Sequence, residues 1–78
     1  MIKVCGKDVT FQKSHVGYWP IVSEGDLKIK LPLLLEEYEL ESITEILKQI
    51  PKNDCSLDIT AMIVAGAISL RLKYAPVA

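Results

Sequence analysis

A run of twelve uncharged residues, Ile59 to Leu70, constrains this chain more than any other feature of its sequence. Asp58 precedes the run and Arg71 follows it, so a negative and a positive charge lie at the ends where a helix dipole favours them. A helix of this length extends about 18 Å, whereas a transmembrane helix needs about twenty apolar residues. The run therefore predicts a helix over residues 57–74 that is covered by protein, and we expect no membrane segment.

Apolar residues recur on two sides of this helix rather than on one. A helix that covers a single sheet face shows one apolar stripe and one polar stripe. Two interpretations fit, and they are compatible: other parts of the same chain cover both sides, or a second copy covers one of them. For a homodimer we expect the side with the small residues to form the interface. The candidate interface residues are Ala61, Val64, Ala65, Ile68, Ser69 and Leu72.

The length of the chain limits what else it can contain. With 78 residues, half of them apolar and about a quarter charged, it suffices for one domain with one core. The N-terminal segment lacks the apolar stretch of a signal peptide, so we expect a cytoplasmic protein in which Cys5 and Cys55 are free thiols. A disulfide bond between them stays an alternative, because the sequence gives no distance between the two residues.

Alternating apolar and polar residues predict strands before the uncharged helix. The first two strands would form a hairpin that turns at Gly6 and Lys7. Pro20 would restrict the third strand to an edge or a bulge. Lys28 and Lys30 alternate with apolar residues, as in a strand with one solvated face. The predicted antiparallel sheet has three to four strands, at about residues 2–5, 8–12, 18–22 and 27–31.

Helical spacing of apolar residues begins after Pro32. Ser42 and Glu45 have the spacing of a capping box, and Pro51 ends the helix. The segment 33–41 fits either a helical turn or irregular structure. Strands followed by helices indicate an α+β fold with two layers. The two predicted helices, at about residues 42–50 and 57–74, would pack on one face of the sheet.

No arrangement of side chains in the sequence indicates catalysis or metal binding. His15 is the only histidine, and no cysteine, serine or carboxylate lies near it at a spacing typical of a catalytic or metal site. The four glycines are scattered rather than grouped into a phosphate-binding loop. We therefore predict a non-enzymatic protein with no catalytic residues, no cofactor and no bound metal.

Two segments are candidates for contact with another protein. Tyr18 and Trp19 are of the residue types that anchor interfaces, although Trp19 could instead close one end of the core. The second segment is acidic and precedes the first helix, where negative charge is also favoured by the helix dipole alone. Its candidate partner-binding residues are Glu36, Glu37, Glu39 and Glu41.

Together these features predict a small adapter or accessory protein that forms a homodimer through the 57–74 helix and contacts a larger protein. One alternative is a small inhibitor of the mobile-element type, acting on a larger complex through the acidic segment 36–45. Another alternative, a weak nucleic-acid-binding module, would use Lys3, Lys28 and Lys30 on the outer sheet face. The first thirty residues hold five lysines, no arginine and three acidic residues, so the charge pattern disfavours nucleic acid.

Overall fold

Four strands form one layer of the fold, and each strand pairs with the next one along the chain in an antiparallel sheet. The computed structural model describes residues 2–51 and 53–74, the last four of these by their backbone alone. The turns between neighbouring strands are short, as in a β-meander. The strands are β1 (Ile2–Val4), β2 (Lys7–Lys13), β3 (Tyr18–Glu24) and β4 (Leu27–Lys30).

The turn between β1 and β2 lies one residue earlier than predicted. Cys5 and Gly6 form it, with φ angles of 51° and 80°. Positive φ at both central residues is the conformation of a type I′ turn. Lys7 is therefore the first residue of β2 and pairs with Val4. Since side chains alternate along a strand, Lys7 lies on the same sheet face as Val9, which is fully buried.

Pro20 lies inside a central strand, although the sequence predicts an edge or a bulge for it. The carbonyl oxygen of Pro20 accepts a hydrogen bond from the backbone N–H of Leu31, at 2.9 Å. Leu31 comes just after the last residue of β4. The N–H and C=O groups of one strand residue point to the same side. The missing donor of Pro20 therefore faces the end of β4, where the ladder stops.

The segment between β4 and the first helix is held to the sheet by its backbone. Tyr18 and Leu35 exchange two backbone hydrogen bonds of 2.8 and 2.9 Å. A 3-10 helix at Glu37–Glu39 leads directly into α1 (Leu40–Lys48). Ser42 therefore lies within the first turn of α1 and does not cap it.

The uncharged run forms most of α2 (Leu57–Tyr74), as the sequence predicts. Ser56 caps this helix, because its Oγ accepts a hydrogen bond from the N–H of Ile59 at 3.3 Å. α2 packs against β3 and α1, and α1 packs against β1. These contacts confirm the predicted α+β fold with a sheet followed by two helices. One core joins both layers, and its buried members include Val4, Val9, Val22, Leu35, Ile43, Leu47, Ala61, Val64 and Ile68.

Candidate functional site

One side of α2 is buried in the core of the same chain. Ala61, Val64 and Ile68 are buried there, with relative exposures of 6%, 0% and 1%. These three residues were expected to form a dimer interface, and the sheet and α1 cover them instead. Ala65 is half-buried beside them, and the side chain of Leu72 lies outside the described part of the chain. These three buried residues are therefore not available to a second copy.

The opposite side of α2 is exposed and apolar. Ile59, Met62 and Leu70 expose 51%, 72% and 59% of their surface. Gly66 and Ser69 are also exposed and lie between them at helical spacing. We call these five residues the outward face of α2. Of the six predicted interface residues, only Ser69 belongs to it.

Gly66 leaves the helix backbone uncovered at the middle of the outward face. A side chain at this position would meet no atom within 4 Å beyond its chain neighbours and the adjacent backbone of α2. Small residues allow two helix backbones to approach closely, so this point is suited to a crossing with another helix. Glycine within a helix also costs roughly 0.5–1 kcal/mol relative to alanine, and no contact inside the described chain offsets this cost.

Lys7, which the sequence predicts in a turn, is a buried lysine. Its side chain is 7% exposed, and its Nζ lies 3.0 Å from Glu24 Oε2 and 3.2 Å from Asp54 Oδ1. The ion pairs connect the start of β2 to the end of β3 and to the segment before α2. The hydrogen bond with Glu24 raises the pKa of Lys7 above its ordinary value of 10.5, because it outweighs the opposing effect of burial, and Asp54 adds to it.

The raised pKa of Lys7 predicts how its contribution to stability depends on pH. A lysine whose pKa is higher in the folded state stabilises the fold fully below its unfolded pKa and loses this contribution as the pH rises through the folded pKa. We therefore expect the difference in free energy of unfolding between wild type and Lys7→Met to shrink above pH 10.5. Urea unfolding at pH 8 and pH 11 measures it, with the exposed Lys28→Met as the matched control. A difference that does not change with pH would contradict this account of the ion pairs.

Tyr18 and Trp19 do not form one surface, because they lie on opposite faces of β3. Trp19 is half-buried on the outer face, where its Nε1 donates a hydrogen bond to Ser14 Oγ at 3.1 Å. The Nζ of Lys30 lies 4.9 Å from the centroid of its ring, within the range of a cation–π contact. Trp19 therefore does not close the core, and Lys30 already covers its ring. Tyr18 lies on the inner face and lines a groove of about 530 Å³ beside α1.

The acidic segment is exposed for most of its length. Glu36, Glu37 and Glu41 are exposed, whereas Glu39 is half-buried. The carboxylate of Glu39 accepts a hydrogen bond from the backbone N–H of Glu36 at 2.9 Å. Glu39 is thus used within the chain, and three of the four predicted glutamates are available to solvent.

The two cysteines lie beside each other, although they are far apart in the sequence. The backbone N–H of Cys55 donates a hydrogen bond to the carbonyl oxygen of Cys5 at 3.2 Å. Both thiols are free, Cys5 being buried and Cys55 half-buried. Burial raises the pKa of the Cys5 thiol above 9.0, and the neighbouring Cys55 raises it further.

Within residues 2–51 and 53–74, no three histidine, cysteine or carboxylate side chains come together in a group that could hold a metal ion. The described helices also include none that is long and apolar enough to cross a membrane. Comparison with protein-family models, with curated proteins and with solved structures gives no match. What the chain does is therefore inferred from its own surfaces, and the outward face of α2 is the most distinctive of them.

Proposed function

We propose that this chain is a non-enzymatic interaction protein that forms a homodimer through the outward face of α2. The observation that supports the proposal is the exposure of Ile59, Met62 and Leu70 along one side of a single helix. Single exposed apolar residues are common on soluble proteins, whereas several on one side of a single helix are typical of a contact surface. The alternatives that use the acidic segment or the lysines stay predictions.

A second copy of the chain fits this surface by symmetry. Gly66 lies near the middle of α2, so two antiparallel copies would cross at their glycines and place Met62 of each beside Leu70 of the other. An antiparallel pair also brings opposite helix dipole ends together at both ends of α2. In such a homodimer, the outward face of each α2 would be covered by the same face of the other copy.

The size of the surface predicts a weak dimer. A helix of 18 residues is about 27 Å long, and pairing two of them buries on the order of 400 Å² per copy. Stable interfaces bury about 800 Å² per partner. We therefore expect a dissociation constant on the order of tens of micromolar, with exchange between monomer and dimer during purification.

Light scattering on a dilution series of the wild-type chain tests this proposal. The expected weight-average mass is 8.7 kDa at low micromolar concentration and rises toward twice that value near 1 millimolar, as a dimer of this affinity requires. A mass that stays at the monomer value across the series would overturn the proposal. A mass that continues to rise past the dimer would also overturn it, because a two-fold interface closes on itself.

A further inference from the structure

The β1–β2 turn and the segment before α2 meet at the two cysteines of the chain. A hydrogen bond of 3.2 Å joins Cys55 N–H to Cys5 C=O. A nitrogen-to-oxygen distance of 3.2 Å, extended by the covalent bonds to the two Cα atoms, keeps these Cα atoms within about 7 Å of each other, and disulfide bonds span Cα separations of about 4.4–6.8 Å. The two residues therefore lie at a separation that a disulfide bond can bridge.

The turn itself does not explain a cysteine at position 5. Both central residues of a type I′ turn need positive φ, and asparagine, aspartate and glycine are the residues that favour it. Cys5 adopts φ of 51° there, at a cost of roughly 1–2 kcal/mol for a residue with a Cβ atom. Its side chain packs in the core beside Cys55 rather than hydrogen-bonding within the turn. A covalent pairing with Cys55 would give a cysteine at this position a role that the turn does not require.

We propose that Cys5 and Cys55 are a redox-active pair that closes into a reversible disulfide bond by exchange with a small-molecule disulfide such as oxidised glutathione. This bond would join the start of the sheet to the segment before α2. The half-buried Cys55 is the thiol through which a small reagent reaches the pair.

The exchange has two steps, and the exposure of the thiols sets their order. The thiolate of Cys55, the more exposed residue, attacks one sulfur of oxidised glutathione, forms a mixed disulfide and releases one glutathione thiolate. The thiolate of Cys5 then attacks the Cys55 sulfur and releases the second glutathione. The two protein thiols are oxidised to one disulfide bond, one oxidised glutathione is reduced to two thiols, and the two released thiolates take up the two protons.

The bond would close a loop of about fifty residues, from Cys5 to Cys55. Closing a loop of this length restricts the unfolded chain strongly. We expect the oxidised protein to melt about 10 °C or more above the reduced protein. Because the bond stabilises the folded state, folding favours the bond in return. We expect the equilibrium constant for its formation to be on the order of 100-fold higher in the folded chain than in the urea-unfolded chain.

The test treats the full wild-type chain with mixtures of oxidised and reduced glutathione and maps its peptides without a reductant. The expected product is an intramolecular Cys5–Cys55 link, lost again on reduction, with the rise in Tm given above. Cys55→Ser is the control, since we expect its buried Cys5 to resist glutathione. A final product with glutathione on Cys55 and a free Cys5 would overturn the proposal, as would a Cys55-linked dimer. A Tm that stays equal or falls on oxidation would overturn it too.

Discussion

Replacing Ile68 with alanine is expected to lower the free energy of unfolding by about 3 kcal/mol. Ile68 is 1% exposed and packs in the core on the inward side of α2. Truncation of a buried isoleucine removes apolar contact and leaves a cavity, which together cost about 2–5 kcal/mol. A domain of 78 residues has a small core, so this loss is a large part of its stability.

Leu70→Ala is the matched control, because Leu70 lies two residues further along the same helix and is exposed. At concentrations where the chain is monomeric, we expect this substitution to change the free energy of unfolding by less than about 0.5 kcal/mol. Urea unfolding at low micromolar concentration gives both values. An equal loss of free energy of unfolding in the two variants would contradict the placement of Ile68 in the core and of Leu70 at the surface.

Replacing Met62 with glutamate is expected to weaken the dimer by at least about 100-fold. Met62 is 72% exposed in the single chain, so a carboxylate there stays hydrated and leaves the fold intact. In the dimer each copy would bury one carboxylate against apolar side chains, and an unpaired buried charge costs several kcal/mol. Each 1.4 kcal/mol corresponds to a tenfold change in the dissociation constant.

Thr10→Glu is the control for added charge, since Thr10 is exposed on the outer face of the sheet. It gives the chain the same net charge as Met62→Glu, so non-specific repulsion is equal in the two variants. Light scattering across a dilution series yields both dissociation constants. If Met62→Glu dimerises as tightly as Thr10→Glu, the outward face of α2 does not form the interface.

The order and type of the elements could be predicted from the sequence because local patterns determine them. The alternation around Ile29 and the uncharged run of α2 identify a strand and a helix without knowledge of their neighbours. The start of α1 was less predictable. Its first turn continues from the 3-10 helix at Glu37–Glu39, which shifts the helix start ahead of Ser42.

The side of α2 that faces the core could not be predicted. Both sides of the helix are apolar, so hydropathy does not distinguish Val64 and Ile68 from Ile59 and Met62. The packing of β3 and α1 against α2 determines which side is buried, and this packing depends on contacts between residues that are far apart in the sequence. The expected dimer interface therefore fell mainly on residues that the core already uses.

Lys7 was missed for a related reason. The sequence predicts the turn at Gly6 and Lys7, because glycine is favoured as the first residue of one common hairpin turn. The chain instead uses Cys5 in a left-handed conformation, which residues with a Cβ atom adopt infrequently. With the turn one residue earlier, Lys7 becomes the first residue of β2, and alternation from Val9 places it on the core side. Glu24 and Asp54 pair with it there.

The most direct test of the proposed interface is the rate of thiol labelling at two substituted serines. Ser69 lies on the outward face of α2 and Ser42 lies on α1, and both are exposed in the single chain. A maleimide would label Ser69→Cys and Ser42→Cys, with peptide mapping to separate these sites from the native cysteines. Once about nine tenths of the chains are paired, we expect labelling at Ser69→Cys to slow about tenfold and labelling at Ser42→Cys to keep its rate. Unchanged labelling at Ser69→Cys in a chain that light scattering shows to be dimeric would contradict the account.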